Sequence, residues 1–237
     1  MKKQIIAASF ITLDDIKEII IYFIFFGILW GYLFSQYALP NITPDSLGYI
    51  RGAMHPGIIT MRPIGYGIFL YLVSLIPDFY HFIFLIQYII YAISSLVFLF
   101  TIKYFFPAKS RVLYYIFSIF LLYQPVSLFL STFVMSDSLF ISLTLIWISS
   151  GIWILGNQKL GAIVLHLLFL IFMLNVRYIS IFFVPVSIFF LFFASRKLYL
   201  RVALSLLPVL IFVSFSSITK QRVYGATGVQ VFSGFSG

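Results

Sequence analysis

The feature that most constrains this chain is its scarcity of charge. Only 9% of its 237 residues are Asp, Glu, Lys or Arg, whereas 62% are hydrophobic and the mean hydropathy is +1.12. A soluble domain carries roughly 25% charged residues, so this chain could not cover its surface in water. The aromatic share of 21% suits lipid-facing helices with Tyr at the membrane interfaces. We therefore expect an all-α protein, a polytopic transmembrane helical bundle.

The few charges are mostly basic, and the chain contains no cysteine. A net charge of +9 in a membrane protein generally reflects cytoplasmic Lys and Arg that fix topology, rather than nucleic-acid binding. Without Cys there is no disulfide, thiolate nucleophile or Cys-ligated metal. Residues 1–15 do not read as a cleaved signal peptide, because Asp14, Asp15 and Glu18 interrupt the pattern and the following apolar run is long enough to span. We expect them to remain as a cytoplasmic interfacial segment.

Runs of about 20 apolar residues, bounded by Pro, Gly and charges, indicate the spans. One transmembrane domain covering 1–237 is predicted, with seven spans: Ile19–Ala38, Phe82–Phe100, Leu113–Leu130, Leu139–Leu155, Leu160–Leu174, Tyr178–Phe193 and Leu200–Ser214. The fifth and sixth are short, which fits a tilted hairpin or a partly re-entrant pair. Ile68–Ile76 is too short to cross and is predicted as an interfacial helix within a first outer loop, 39–80. Residues 215–237 are predicted as an outer Gly-rich segment that continues in a longer chain.

The basic residues orient these spans. With a cytoplasmic amino terminus, ten Lys and Arg lie inside and five outside, in agreement with the positive-inside rule. The outer five are Arg51, Arg62, Arg177, Lys220 and Arg222, and the acids Asp45, Asp78 and Asp137 fall on the same face. A charge at the membrane costs at least a few kcal/mol unless it is partnered or wet. We therefore expect a multi-pass protein with a cytoplasmic amino terminus and its chemistry at the outer face.

Asp45 is the candidate catalytic carboxylate. It follows the first predicted span within the sequence Thr-Pro-Asp-Ser, from 43 to 46. A carboxylate held at the membrane surface can accept a proton from an acceptor nucleophile. The same sequence is good helix-start chemistry, so Asp45 is also predicted as the N-cap of a short interfacial helix. The two roles are compatible, because a cap fixes the position of the carboxylate.

Arg62 is the candidate phosphate ligand. It opens the sequence Arg-Pro-Ile-Gly-Tyr-Gly, from 62 to 67, which returns the outer loop to the membrane. A guanidinium can bind phosphate with two parallel hydrogen bonds, although a snorkelling arginine on lipid headgroups explains the residue equally well. His55 before a proline is typical of a loop residue rather than a metal ligand. No cofactor is expected, since ligand spacing does not support a divalent metal.

Two further charged residues flank later spans. Asp137, within Ser-Asp-Ser, is either part of an N-cap for the next helix or an acceptor-side group. Arg177 interrupts a long apolar stretch, and its cost in hydrocarbon requires a cavity or an anion beside it. Lys220 and Arg222 begin a basic, Gly-rich outer segment.

The order and common sidedness of these motifs resemble the GT-C superfamily of polyprenyl-phosphate-sugar-dependent glycosyltransferases. The likeness is greatest to the bacterial relatives of the protein O-mannosyltransferases and to the lipid A aminoarabinose transferases. Those proteins commonly read Asp-Glu-x-x-Tyr-x-x-x-Ala in the first outer loop, which is matched here by Asp45, Tyr49 and Ala53. Ser46 stands where the second acid would be, which leaves metal-assisted chemistry in doubt.

Three shorter elements extend the resemblance along nearly the whole chain. An Arg-Pro-Pro-Gly-Tyr-Pro-like element is matched, with Ile64 and Gly67 as departures, by Arg62, Pro63, Gly65 and Tyr66. A second outer turn that often reads Thr-Glu-x-Leu-Phe is matched by Ser136, Asp137, Leu139 and Phe140. A tail that reads Arg-Asn-Tyr-x-x-x-Gly is echoed loosely by Lys220, Gln221, Arg222 and Gly225.

The resemblance implies sugar transfer from a polyprenyl-phosphate carrier to a glycan, lipid or protein acceptor at the outer face, with inversion. Asp45 would be the general base, and Arg62 and Arg177, with Lys220 or Arg222, would stabilise the departing phosphate. Tyr49, Tyr66 and Asp137 would complete the substrate site. The implied partners are the lipid-linked donor, the acceptor and membrane lipids, with no nucleic acid. The resemblance also implies a bacterial cytoplasmic membrane as the location. Such enzymes continue with further spans, so this chain would be an amino-terminal part.

Two other functions fit a polytopic chain of this kind. An outer-face polysaccharide polymerase would use the same carrier, but the early Asp-x-x-x-Tyr loop argues against it. A transporter or flippase for lipid-linked saccharides would show repeated halves and a charge at the midplane. No repeat is evident, and Arg177 alone is placed to lie deep.

Overall fold

The computed structural model describes residues 13–37, 39–55, 62–106, 110–195, 197–229 and 231–232. Every regular element in this part of the chain is a helix, so the predicted all-α class is confirmed. The elements are α1 (Leu13–Gln36), α2 (Pro44–Met54), α3 (Gly65–Ser74), α4 (Phe79–Phe105), α5 (Arg111–Leu122), α6 (Pro125–Ser131), α7 (Ser136–Asn157), α8 (Leu160–Val176), the 3₁₀ helix η1 (Tyr178–Phe182), α9 (Phe183–Phe192) and α10 (Leu198–Thr227).

Five helical stretches of the described chain are long and apolar enough to cross a membrane. They are Asp15–Gln36, Phe79–Phe105, Val112–Ser131, Ser136–Asn157 and Leu198–Gly225. The predicted total of seven spans is not confirmed, because the fifth and sixth correspond to shorter apolar helices. Helix α8 has 17 residues, or about 25 Å of rise, against a hydrocarbon thickness of about 30 Å.

The chain divides into two compact units, 1–38 and 39–237. The described part of the first unit is α1, whose apolar side chains are largely exposed, as lipid-facing side chains would be. Within α1 the Tyr22 hydroxyl donates a hydrogen bond of 2.9 Å to the Glu18 carboxylate. Because α1 begins at Leu13, the last three residues of the predicted interfacial segment belong to the helix, and residues 1–12 lie outside the described chain.

In the second unit, α7, α8 and α9 pack around a buried aromatic and polar core. Trp147 is 1% exposed and stacks on His166, with ring centroids 4.9 Å apart. The His166 imidazole lies 3.1 Å from both the Ser150 and the Ser187 hydroxyls, so it joins all three helices. Helices in lipid associate through such packing and interhelical hydrogen bonds, since lipid is as apolar as their side chains.

Two predicted spans differ in form from the expectation. The stretch Val112–Ser131 is broken into α5 and α6 at Tyr123 and Gln124, because the residue before Pro125 is disfavoured in the α conformation. Helix α10 continues past Ser214, the predicted end of the last span, to Thr227. Lys220 and Arg222 therefore lie on a helix rather than in an outer loop, and residues 233–237 are outside the described chain.

The two ends of the second unit differ in chemistry. One end, called here the polar end, contains α2, α3, the starts of α4 and α7, and the last turns of α6, α8 and α10. The opposite end carries Lys103, Lys159, Lys197 and Arg201, and its helices are joined by the stacked rings of Tyr104 and Trp153. These described charges of the second unit therefore lie at two different ends, and which end faces the cytoplasm stays a prediction.

Candidate active site

The first loop is anchored to the connection between α6 and α7. The Asn41 amide donates to the Thr132 carbonyl at 2.8 Å, and the Val134 amide donates to the Asn41 carbonyl at 3.0 Å. The Asn41 side chain adds a bond of 3.1 Å to the Thr132 hydroxyl. This pairing places the start of α2 beside the start of α7, although the two are more than 80 residues apart in sequence.

Helix α2 begins with a reciprocal capping box. Thr43 is the N-cap, and its backbone amide donates to the Ser46 hydroxyl at 2.9 Å. The prediction of Asp45 as the N-cap is wrong, because Pro44 occupies the first helical position and Asp45 the second. In the first turn the Asp45 carboxylate is favoured by the positive end of the helix dipole. Ser46, which stands where the motif of the GT-C proteins has its second acid, therefore has a structural role as part of the capping box.

The Asp45 carboxylate is paired with Arg62. The Arg62 Nη2 atom lies 2.5 Å from Asp45 Oδ1, and its Nη1 donates to the Tyr49 hydroxyl at 3.1 Å. The guanidinium also lies over the Tyr49 ring, 4.8 Å from its centroid. Burial lowers the pKa of Arg62, but the hydrogen bonds and charges of Tyr49 and Asp45 outweigh it, so the pKa is raised. Arg62 therefore remains a cation. About half of the Asp45 side chain is exposed to solvent.

Tyr49 is held in turn by buried neighbours. It is 5% exposed, and its hydroxyl lies 2.7 Å from the Ser136 hydroxyl at the start of α7. The edge of its ring meets the Tyr66 ring, with centroids 4.8 Å apart. Tyr66 is fully buried and donates to Gln87 Oε1 at 2.7 Å, so it supports the site from behind and does not reach the surface. Sequence reasoning missed Gln87, because a single amide in an apolar run gives no signal by itself.

Asp137 and Arg177 form a second ion pair at the polar end. Arg177 Nη1 contacts Asp137 Oδ1, and the guanidinium lies 5.8 Å from the centroid of the Phe140 ring. Arg177 sits between α8 and η1, so the anion that its position required is supplied by α7. The prediction that Ser136–Ser138 cap α7 is wrong, because Met135 is the N-cap and Ser136 is the first helical residue.

Close backbone contacts fix α3 between α2 and α8. A Cβ on Gly65 would lie 2.6 Å from the Asn175 carbonyl oxygen, and one on Gly67 would lie 3.2 Å from the Gly52 carbonyl carbon. Glycine is therefore required at Gly65, where the start of α3 meets the end of α8. This contact places Arg62 and Asn175 on the wall of the same small pocket.

That pocket continues into an apolar groove between α8 and α10. The groove has a volume of about 390 Å³ and is lined mainly by aliphatic and aromatic side chains, with Asn175, Ser214, Thr219 and Arg222 as its polar lining. Asn175, Phe215, Thr219 and Arg222 also line the small pocket beside Arg62. Arg222 makes no ion pair with any residue that the structure describes. The groove therefore leads to a small pocket that is lined by Arg62 and Arg222, and Arg62 is paired with the Asp45 carboxylate.

The structure thus divides the predicted site residues into two linked groups. Asp45, Tyr49, Arg62 and Tyr66 form one cluster, and Asp137 pairs with Arg177 in another. Ser136, bonded to Tyr49 and adjacent to Asp137, connects them. Of the basic pair in the loosely matched tail, Arg222 reaches the pocket.

No group of three His, Asp or Glu side chains in the described chain is arranged to hold a metal ion. His55 is exposed at the end of α2. No family model matches the chain, and no curated protein or solved structure matches it either.

Proposed function

We propose that this chain is a membrane glycosyltransferase, which moves a sugar from a polyprenyl-phosphate carrier to an acceptor at the outer face of the membrane. The observation that carries the proposal is the groove between α8 and α10, which is lined mainly by apolar side chains and leads to the pocket beside Arg62 and Arg222. An isoprenoid tail needs an apolar channel, and its phosphate needs a cation at the end of that channel.

The charge at the end of the groove favours one class of carrier. Arg62 and Arg222 supply two positive charges, and Asp45, paired with Arg62, supplies one negative charge. The resulting single positive charge matches the single negative charge of a sugar phosphodiester better than the two of a sugar diphosphate. The carrier we propose is therefore a monophosphate.

In the proposed reaction, Asp45 accepts the proton of an acceptor hydroxyl as its oxygen attacks the anomeric carbon. The bond between that carbon and the phosphate oxygen breaks, the bonding electrons leave with the lipid phosphate, and the anomeric configuration inverts. Arg62 and Arg222 stabilise the charge that develops on the phosphate. Tyr49 holds Arg62, and Tyr66 packs against Tyr49, so both tyrosines have a supporting role.

The pair of Asp137 and Arg177 is assigned a different role from the one that the resemblance implied. Arg177 lines neither the groove nor the small pocket, and its charge is compensated by Asp137. Asp137 directly follows Ser136, which bonds the Tyr49 hydroxyl, and Arg177 contacts Asp137. We assign this pair to holding the end of α8 against α7.

The test is an Asp45→Asn variant of the whole chain in vesicles, assayed with undecaprenyl-phosphate-linked hexoses and pentoses. We expect transfer to fall by about 10²–10⁴-fold, the usual contribution of a general base, with binding of the donor retained. Asp78→Asn is the matched control, since it removes the same charge at the polar end outside the site. Its left-handed backbone, with φ of 53°, suits Asn as well as Asp.

Unchanged turnover in Asp45→Asn would remove the base assignment, as would an equal loss in Asp78→Asn. The same vesicles test the transport alternative. If the wild-type chain moves a labelled undecaprenyl-phosphate-linked sugar across the bilayer without transferring the sugar, the flippase function replaces the enzyme.

A further inference from the structure

Gln87 is a buried amide in an apolar helix, and the proposed chemistry does not use it. It is 1% exposed within α4. Its Oε1 accepts the hydrogen bond of the Tyr66 hydroxyl at 2.7 Å. Its Nε2 donates to the carbonyls of Ser131 and Phe133, each at 2.9 Å. One side chain therefore bonds to α3, to the end of α6 and to the connection before α7.

These three bonds fix both sides of the slot that holds Tyr49. On one side, Tyr66 presents its ring to the Tyr49 ring at 4.8 Å. On the other, the connection from Ser131 leads within five residues to Ser136, which bonds the Tyr49 hydroxyl at 2.7 Å. A shift of either side moves Tyr49, because the tyrosine is enclosed between them.

Tyr49 in turn determines where the Arg62 guanidinium lies. The Tyr49 hydroxyl accepts from Arg62 Nη1 at 3.1 Å, and its ring lies beneath the guanidinium. Arg62 then places its Nη2 against Asp45. The chain of contacts thus runs from an amide inside the bundle to the carboxylate at its surface, and every step is a hydrogen bond, a ring contact or an ion pair.

We infer that Gln87 is a positioning residue for the centre formed by Arg62 and Asp45. It acts through Tyr66 and through the connection before α7, and it touches no ligand itself. The inference rests on the proposed function for what that centre does. The placement of Arg62 is a separate property, which can be measured without any ligand.

The experiment measures how fast 4-hydroxyphenylglyoxal modifies Arg62 in the purified chain in nanodiscs, with the modified peptide quantified by mass spectrometry. Gln87→Leu removes all three bonds at nearly constant volume, and Tyr66→Phe removes one bond and keeps the ring. On average, one interhelical hydrogen bond in a membrane changes an equilibrium constant by a factor of about three. We expect Tyr66→Phe to raise the Arg62 rate about threefold and Gln87→Leu to raise it further.

Two references separate positioning from general loosening. Arg201 lies at the opposite end of the unit and donates to the Ser195 carbonyl at 2.8 Å, so its rate is expected to stay constant. Ser94→Ala removes another buried polar group from α4, one that bonds back to the Ile90 carbonyl of its own helix, and is expected to leave Arg62 unchanged. A parallel rise at Arg201, or a rise in Ser94→Ala, would overturn the inference.

An unchanged Arg62 rate in Tyr66→Phe and in folded Gln87→Leu would also overturn it. If Gln87→Leu does not fold, Tyr66→Phe alone decides between the two outcomes. Binding of undecaprenyl phosphate provides the link to function. Gln87→Leu should weaken binding of the lipid when it is introduced into the wild-type chain. It should have no further effect on binding when it is introduced into a chain that already carries Arg62→Gln. If the lipid does not bind at all, the proposed function fails while the reactivity of Arg62 still tests the role of Gln87.

Discussion

Gly65→Ala is expected to separate α3 from α8. The new Cβ would lie 2.6 Å from the Asn175 carbonyl oxygen and 2.8 Å from its carbonyl carbon, whereas ordinary contact begins at 3.4 Å. One of the two backbones must therefore move by about 0.8 Å to accommodate a single methyl group. Neither is the end of a flexible side chain, so the contact cannot be relieved by a change of rotamer.

Overpacking of this kind costs about 1–3 kcal/mol. For a chain of this size each kcal/mol corresponds to roughly 2–4 °C, so the melting temperature should fall by about 2–12 °C. The displacement also widens the pocket between Arg62 and Asn175. We therefore expect weaker binding of undecaprenyl phosphate together with the lower melting temperature.

The assay is thermal unfolding in detergent, and the readout is the fraction of protein that remains monodisperse after heating. Gly161→Ala in α8 is the matched control, because a Cβ there meets nothing within 4 Å. In a helix this change is expected to be neutral or to stabilise by about 0.5 kcal/mol. If Gly65→Ala has the same melting temperature as Gly161→Ala and the wild-type chain, the close approach of α3 and α8 is refuted.

Three further predictions address the groove and the polar cluster. Ser214→Trp fills the groove and should weaken binding of undecaprenyl phosphate at least tenfold in a vesicle titration, whereas Val213→Trp, on the exposed face, should not. Asp137→Asn should lower the free energy of unfolding by about 1–2 kcal/mol, which is less than the loss for a fully buried pair because Arg177 is 35% exposed. The charge-swapped double variant, Asp137→Arg with Arg177→Asp, should recover part of that loss in thermal unfolding. Tyr49→Phe should keep the ring contacts but raise the rate of Arg62 modification about threefold, and an unchanged rate would show that the hydroxyl does not hold the guanidinium.

The helices could be predicted because apolar runs and breakers determine them locally. Helices α4 and α7 each begin three residues before the expected start of a span, where Asp78 and Ser136 interrupt the apolar run. The end of α10 was misplaced because Lys220 and Arg222 were taken as loop residues, although the helix continues to Thr227 and ends at Gly228, whose φ is 72°. Charge indicates where a helix leaves the hydrocarbon, and not where the helix ends.

The site was predictable in its residues and not in its pairings. The cost of an arginine in hydrocarbon indicated that Arg177 needs a cavity or an anion beside it. Its partner, Asp137, is 40 residues away in sequence and lies near it only once α7 and α8 pack. Gln87 gave no signal, because a single amide in a span is indistinguishable from any other until its three partners are assembled. Local sequence could not choose Thr43 over Asp45 as the N-cap, since both are good capping residues.

The two ion pairs at the polar end meet different physical demands. Asp137 and Arg177 are 25% and 35% exposed, and removal of either leaves a charge in a poorly hydrated place. Asp45 is 52% exposed, so its pairing with Arg62 has the small net free energy of a surface ion pair, about 0–1 kcal/mol. The phosphate of the proposed carrier would therefore contact Arg62 without a large cost in free energy, while the Tyr49 hydroxyl and ring keep the guanidinium in place. The weaker pair thus adjoins the groove, where an exchange of anions would release Asp45 to accept a proton, and the more enclosed pair holds the helices that form the site.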